Sequence, residues 1–471
     1  MVKVNSGTTW RPASTSAATV VILVGLALTY VMLPSDRASN IFMVAAVGVG
    51  LSLGIATAIE ATSGVRALIR VDILMFLVLY GLTFLEFLSP QPDVDAFVMP
   101  VPATSGTYAV LLGFAGLAVG RHLVPRRTGY SQISGFIDVS PANIFLLFVL
   151  ATLLGYLHIF LSVNFDPFEV LRQMSLPRFS QSWARGRYGD VNALLYEVGA
   201  LIYLIPPVAG LIYARSHDYN FIQKTVVTIV LLFTLYFGFS SGTRNILATY
   251  VITFLGAYFL NKSRLKLSHV LYQGVPIVVL LMWAMSFMLE FRAEGLDNYS
   301  FDEHSVRSLY IDRNMVIISR LTEVFPNLYG YLGFEVAYQG LLHPIPRVLW
   351  PGKPEGLSIS IEDALGADSA SVTLACTFVG EAYISGGFFA VLVAGLLLGA
   401  GAELWNRIGR NVNSPFAQLL YASGFLCAAL TMRSIQWTTV LALPTLALWI
   451  YGRLWRKRSL PRRQAIGPTD S

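Results

Sequence analysis

Four arginines lie close together in a polar stretch between two apolar runs of this chain. Residues 163–190 read VNFDPFEVLRQMSLPRFSQSWARGRYGD, and the arginines are Arg172, Arg178, Arg185 and Arg187. A guanidinium is a planar fork that binds a phosphate or a carboxylate through two parallel hydrogen bonds. The stretch contains only three carboxylates of its own, so the pattern favours an anionic ligand.

The composition assigns the chain to the membrane proteins. Hydrophobic residues make up 55% of the sequence and charged residues 13%, and the mean hydropathy is +0.61, which excludes a soluble globular protein. Several apolar runs reach the roughly 20 residues that a helix needs to cross about 30 Å of hydrocarbon. We therefore predict an all-α polytopic membrane protein in which residues 1–471 form a single integral membrane domain. Cys376 and Cys427 lie in or beside apolar runs and indicate neither a disulfide framework nor a metal site.

Twelve apolar runs are the predicted transmembrane helices. They lie near 14–33, 41–59, 71–89, 105–121, 142–162, 191–213, 225–239, 245–261, 271–290, 383–402, 414–432 and 437–453. The strongest orientation signal is GRLWRKRSLPRRQ, which leads into the basic tail 454–471. The positive-inside rule places this tail in the cytoplasm, where it contacts anionic lipid and not nucleic acid. Because the number of spans is even, we expect the N-terminus to be cytoplasmic too, with the first run as a retained helix.

The basic residues divide unevenly between the two sides of this topology. Of the 33 lysines and arginines, 20 fall on the cytoplasmic side and 13 outside, and 12 of those outside are arginine. A solvated surface would use lysine as well, so this bias favours binding of phosphate or carboxylate. The alternative is that the outer arginines pair with outer carboxylates, which outnumber them.

One long segment dominates the outer surface. Residues 291–382 connect two predicted spans and include VFPNLYGYLGFEVAYQGLLHPIPRVLW, an apolar stretch that glycine and proline interrupt. Loops longer than about 15 residues are usually functional or disordered. We expect re-entrant or interfacial helices here, because irregular backbone at membrane depth must be buried in protein or line a wet cavity. The chemistry is therefore predicted on the outer face.

These features resemble those of the Wzy-type O-antigen and oligosaccharide repeat-unit polymerases of bacterial envelopes. The resemblance covers the number of spans, both cytoplasmic termini, the arginine-bearing third outer loop at 163–190 and the long fifth outer loop at 291–382. Three short stretches add to it: SSGTRNIL at 240–247, HPIPRVLWPGKPEG at 343–356 and GEAYISGG at 380–387.

The resemblance implies a metal-independent glycosyltransferase of the bacterial cytoplasmic (inner) membrane, with its active site on the extracytoplasmic face. It would transfer a growing glycan from polyprenyl pyrophosphate, such as undecaprenyl pyrophosphate, to a hydroxyl of the next lipid-linked repeat unit. Membrane lipid, a flippase and a chain-length regulator are the implied partners, and no cofactor is implied. A flippase or transporter for the same lipid-linked glycans and an O-antigen ligase are the alternatives.

The predicted substrate-binding residues are chiefly outer arginines. For the pyrophosphate we choose Arg172, Arg178, Arg185, Arg187, Arg244 and Arg347. Arg244 follows Ser240, Ser241 and Gly242, so it is expected to open a helix whose free N–H groups also favour an anion. Trp183 and Tyr188 are predicted to stack on sugars.

Three residues are candidates for the base that removes the proton of the acceptor hydroxyl. His343 precedes a Pro-Ile-Pro-Arg turn and titrates in the useful range. Glu381 begins a late span beside Gly380, and Glu335 lies in the interrupted apolar stretch, where burial raises the pKa of a carboxyl. The sequence does not choose among them.

Two further features receive structural interpretations. Asp93 and Asp95 are spaced as a metal-binding pair, but no other ligand lies near them in sequence, so we do not predict a metal site. Arg433 lies alone between the last two spans. A lone arginine at a helix end is most simply explained as a side chain that extends to the membrane surface.

Overall fold

The fold is built from helices alone in the part of the chain that the structure describes. The computed structural model describes residues 15–124, 138–183, 195, 197–262, 265–296, 313–345, 349–350, 352–354, 356–357, 359–366, 374–410 and 414–455. All regular elements within these ranges are α-helices or short 3-10 helices. The all-α class is therefore confirmed.

Sixteen α-helices are described, and twelve of them lie at the predicted apolar runs. They are α1 (Thr15–Val31), α2 (Ala38–Ala61), α3 (Val71–Thr83), α4 (Pro100–Gly120), α5 (Pro141–Ser162), α6 (Pro167–Met174), α7 (Ile205–Ala214), α8 (Phe221–Ser240), α9 (Arg244–Asn261), α10 (Leu267–Glu294), α11 (Asn314–Val324), α12 (Glu335–Leu342), α13 (Ile361–Ala364), α14 (Thr377–Arg410), α15 (Pro415–Arg433) and α16 (Thr438–Leu454). Seven of these described helices, α2, α4, α5, α8, α10, α14 and α15, are long and apolar enough to cross a membrane. The chain is accordingly a polytopic membrane protein.

The starts of two helices depart most from the predicted runs. The run at 191–213 was expected as one span, but its α-helix begins only at Ile205, after the 3-10 helix Gly199–Leu204. Pro206 and Pro207 occupy the first turn of α7, where a missing backbone N–H costs nothing. The late run at 383–402 begins earlier than predicted, at Thr377.

Helix α15 lies between two clusters of buried apolar side chains. One cluster joins residues of α1–α4, α11 and α14, and the other joins residues of α5, α7–α9 and α16. Tyr421 and Phe425 of α15 belong to the first cluster, whereas Phe416 and Leu419 belong to the second. The helix is therefore buried on both sides and holds the two halves of the bundle together.

Helices α4 and α14 approach each other closely through glycine. A Cβ added to Gly116 would lie 2.8 Å from the carbonyl oxygen of Leu392 and 2.9 Å from Cα of Gly395. Gly120 and Gly399 repeat this backbone contact one turn further along. Without a hydrophobic effect between helices in lipid, small residues allow the backbone proximity that gives dispersion contact. The two helices therefore form the tightest described contact of the first cluster.

Helix α14 is interrupted at Gly386 and Gly387. Gly387 has a φ of 65°, and the interruption releases two carbonyl groups from the helical hydrogen-bond pattern. The backbone N–H of Leu332 donates to Ile384 at 2.9 Å, and that of Gly333 donates to Ser385 at 2.9 Å. Part of the long outer segment is thus held against the break in α14.

A buried network of charged side chains links several helices at one end of the bundle. Arg70 donates to Glu60 at 2.9 Å and to Asp72 at 2.5 Å, while Arg121 lies 3.0 Å from Asp72 and 3.4 Å from Glu60. All four side chains are at most 2% exposed. Asn406 of α14 also donates to Asp72 at 2.6 Å. Two guanidiniums and two carboxylates neutralise each other here, which links α2, α3, α4 and α14.

Replacing Gly399 with leucine should destabilise the protein. Its new Cβ would overlap the carbonyl oxygen of Leu117 and force α4 away from α14, and overpacking typically costs about 1–3 kcal/mol. We expect a lower thermal unfolding midpoint in detergent. Gly401→Leu is the matched control, because that glycine has no neighbouring atom within 4 Å. Equal midpoints for the two variants would contradict the proposed packing.

Replacing Asp72 with alanine should also destabilise the protein, because both arginines would lose a buried counter-charge. Breaking a buried ion pair costs about 3–5 kcal/mol. Asp218→Ala is the control, since Asp218 forms a more exposed ion pair with Arg215, a type that contributes about 0–1 kcal/mol. Denaturant unfolding in micelles measures both losses. A loss at Asp72 no larger than that at Asp218 would contradict the assigned role of the network.

Candidate functional site

The segment at 163–190, the predicted third outer loop, meets the turn between α8 and α9. Arg178 donates from Nη1 to the hydroxyl oxygen of Thr243 at 2.9 Å. Thr243 is the N-cap residue of α9, and Arg244 is the first residue of that helix. The sequence-predicted residues Arg178 and Arg244 are therefore brought to the same turn, although 66 positions separate them in sequence.

The end of α10 supplies a third arginine to this turn. Gly242 has a φ of 62°, and a Cβ at this glycine would overlap the side chain of Arg292. The same end of α10 is tied to the third loop, because the N–H of Leu296 donates to the carbonyl of Ser175 at 2.7 Å. We call Arg178, Arg244 and Arg292 the arginine cluster.

Arg292 was not chosen from the sequence, although it belongs to the outer arginines. No sequence motif marks Arg292, because this residue lies at the end of a long apolar helix. The contact with Gly242 depends on a positive φ that brings the backbone close to α10. Only the excess of arginine over lysine among the residues predicted to lie outside could have indicated Arg292.

Arg244 is the buried member of the cluster. Its side chain is only 6% exposed, and it opens a helix of 18 residues. The first N–H groups of a helix have no intrahelical acceptor, and the helix dipole is positive at this end. The arginine cluster therefore lies at the positive end of the α9 dipole.

The other described residues of the third loop have different surroundings. Arg172 is 69% exposed and forms two hydrogen bonds of 2.7 Å with Glu169, and this arginine lowers the pKa of Glu169 to about 2. Trp183 is half-buried, with its ring 6.4 Å from that of Phe237. The contacts of Arg172 thus match the carboxylate-pairing alternative. The predicted residues outside the described ranges are Arg185, Arg187, Tyr188 and Arg347.

Glu381 is buried and holds the turn between α15 and α16. It is 6% exposed. Its Oε1 accepts a hydrogen bond from the hydroxyl of Ser434 at 2.5 Å, and its Oε2 accepts from the N–H of Ile435 at 2.6 Å. Both carboxylate oxygens therefore have a structural partner, one turn before the break in α14.

His343 contacts the same turn from the long outer segment. Its ring centroid lies 4.1 Å from that of Trp437, and its Nδ1 is buried with no hydrogen-bond partner among the described residues. Lys353 donates to the carbonyl oxygen of His343 at 3.1 Å. Burial, followed by the charge of Lys353, lowers the pKa of His343, so the neutral imidazole is favoured.

Glu335 lies apart from His343. It is the first residue of α12, whereas His343 caps the other end of that helix. A helix rises about 1.5 Å per residue, so the eight intervening steps separate their backbones by about 12 Å. The structure brings Glu381 and His343 to one turn but leaves Glu335 at the far end of α12.

The arginine cluster and the turn that Glu381 and His343 contact lie toward the same end of the bundle. Gly256 of α9 packs on the ring of Phe425 of α15. From that contact, Arg244 is 12 residues back along α9 and Arg433 is 8 residues forward along α15. Residues 66–69 hydrogen-bond to Lys262, just after α9, and to Tyr421, near the start of α15. The start of α9 and the end of α15 therefore lie at the opposite end of the bundle, and so do the arginine cluster and the turn after α15.

The aspartates of the second outer loop hold other residues of the protein. Asp95 accepts hydrogen bonds from the N–H and the hydroxyl of Ser39, at 2.8 and 2.7 Å. Asp93 forms an ion pair with Arg313. Within the described ranges no group of three or more metal-ligating side chains occurs, and the two aspartates are accounted for by these structural contacts.

Comparison with known proteins supplies no further identification. No protein-family model, curated protein or solved structure matches this chain.

Proposed function

We propose that this protein polymerises lipid-linked oligosaccharide repeat units on the outer face of the bacterial cytoplasmic membrane. In this proposal the chain has twelve spans and two cytoplasmic termini. A described helix at each of the twelve predicted apolar runs supports that number. The twelve are the seven longer helices, α9 and four shorter apolar helices. The four shorter ones are α1, α3, α16, and α7 together with its preceding 3-10 turns.

The observation that carries the proposal is the convergence of arginines from three separate segments. The third outer loop, the start of α9 and the end of α10 contribute Arg178, Arg244 and Arg292 to one turn. Arginine binds phosphate oxygens in a bidentate manner, and a pyrophosphate offers several such oxygens. A polyprenyl pyrophosphate carries its charge at the membrane surface, at the end of the bundle where this cluster lies.

The reaction is a substitution at the anomeric carbon of the growing glycan. The acceptor hydroxyl oxygen forms a bond to that carbon, the bond from the carbon to the pyrophosphate oxygen breaks, and the hydroxyl proton passes to a base. Negative charge grows on the leaving oxygen, so prepositioned guanidiniums stabilise the transition state more than the ground state. Polyprenyl pyrophosphate leaves with the bonding electron pair.

His343 is the base that the geometry favours among the three candidates. Its lowered pKa keeps it neutral near pH 7, and its buried Nδ1 has no described partner. Both oxygens of Glu381 hold the turn after α15, so Glu381 is better suited to position that turn. A general base contributes typically about 10²–10⁴-fold to the rate.

Purified protein in vesicles should convert lipid-linked repeat units into a ladder of longer glycans without nucleotide sugar or added metal. Arg178→Ala and Arg185→Ala should abolish the ladder, because loss of one preorganised donor costs about 10²–10³ in rate. Arg37→Ala is the control, since Arg37 is an exposed arginine that precedes α2. Full elongation by both site variants would refute the site.

The same assay separates the alternative functions. Movement of intact substrate across the vesicle without elongation would identify a transporter. Transfer of the glycan to a different acceptor, without chain growth, would identify a ligase.

The rate of elongation should fall at low pH as His343 becomes protonated. Because the charge of Lys353 helps to lower the pKa of His343, Lys353→Met should raise that pKa and move the acidic limb of the pH–rate profile to higher pH. Lys353→Arg keeps the charge and should leave the limb in place. An identical acidic limb in the wild type and in Lys353→Met would exclude His343 as the titrating base.

A further inference from the structure

Arg433 ends α15 with an unsatisfied donor. It lies in the last turn of that helix, and its Nε is buried with no hydrogen-bond partner among the described residues. Buried polar groups nearly always have a partner, and an exception calls for an explanation such as a ligand. The interpretation of Arg433 as a side chain that merely extends to the membrane surface does not account for a buried Nε.

The nearest identified carboxylate does not bind Arg433 directly. Glu381 interacts electrostatically with Arg433, but its two oxygens accept hydrogen bonds from Ser434 and Ile435. Within the described ranges, Arg433 forms no ion pair closer than 4.0 Å. Among the described residues, Glu381 therefore balances this charge only in part.

A second unsatisfied group lies on the segment that packs against the same turn. The buried Nδ1 of His343 has no described partner, and the imidazole ring lies against Trp437. This segment is fixed in place because the hydroxyl of Thr439 donates to the carbonyl of Gly340 at 2.5 Å. Two buried nitrogen atoms that have no hydrogen-bond partner in the described part of the chain thus flank the short connection between α15 and α16.

Arg433 also lies within reach of the arginine cluster. Measured from the contact of Gly256 with Phe425, Arg244 is about 18 Å and Arg433 about 12 Å toward the same end, at about 1.5 Å per residue. Packed helices have axes about 8–10 Å apart. Two long guanidinium side chains can therefore contact one pyrophosphate from opposite sides.

We propose that Arg433 is a further anion-binding residue, which binds the pyrophosphate of the lipid-linked donor opposite the arginine cluster and beside His343. This inference rests on the proposed function for the identity of the ligand. A guanidinium at this position would bind the phosphate nearest the sugar, where charge grows as the glycosidic bond breaks.

The test measures binding of inorganic pyrophosphate to the purified full-length protein by calorimetry and by its effect on the unfolding midpoint. We expect Arg433→Gln to weaken binding at least tenfold and to leave the midpoint without ligand unchanged or higher, because an unsatisfied buried donor has been removed. Arg433→Lys, which keeps the charge but not the planar fork, should weaken binding less. Arg37→Gln has the same change of charge and should bind like the wild type.

The outcomes distinguish this inference from the proposed function. Unchanged pyrophosphate affinity in both Arg433 variants, with weaker affinity in Arg178→Ala, would overturn the role of Arg433 and leave the arginine cluster intact. Lower affinity in Arg433→Gln, in a protein whose wild type elongates no glycan, would support the anion site and refute the polymerase. A lower unfolding midpoint without ligand in both Arg433 variants, at unchanged affinity, would make Arg433 a structural residue.

Discussion

The structure depends on one constraint: a charge buried in this helical bundle must be balanced. At one end, Arg70 and Arg121 are matched by Glu60 and Asp72, with every distance at or below 3.4 Å. Such a network costs desolvation energy and fixes the relative positions of the helices that contribute to it. At the other end, arginines lie at the turns after α8 and after α15, and no described carboxylate forms an ion pair with Arg433. In the proposed function, an anionic ligand binds at this second end.

Close packing of α4 against α14 also fixes the position of part of the long segment that precedes α14. Glycines allow α4 and α14 to touch along their backbones, so the break at Gly386 and Gly387 is held at a defined height. Backbone donors of Leu332 and Gly333 bind the carbonyls that the break exposes. The long segment is thereby anchored, and it carries His343 to the turn that Glu381 holds. The position of the candidate base is therefore a consequence of packing inside the membrane-spanning part.

The sequence predicted the helices well because apolar runs of sufficient length have few alternatives in a membrane. The sequence also pointed to Arg178 and Arg244 as candidate anion-binding residues, through the type of their charge and through the small residues before α9. Contacts between residues far apart in the sequence could not be predicted, because no local sequence pattern connects Glu60 with Arg121, or Gly242 with Arg292. The buried Nε of Arg433 was not predictable for a similar reason, since only the folded chain shows it. Glu381 was selected as an acidic residue in an apolar run, but its hydrogen bonds to Ser434 and Ile435 depend on a turn that is distant in sequence.

The central claim is that guanidiniums from separate segments bind one pyrophosphate. The most direct test is a cryo-electron microscopy structure of the purified protein in nanodiscs with undecaprenyl pyrophosphate. We expect phosphate density in contact with Arg178, Arg244 and Arg292, with Arg433 on its other side and the lipid chain leading into the bilayer. Pyrophosphate density at another location, with these arginines bound to carboxylates of the protein, would contradict it.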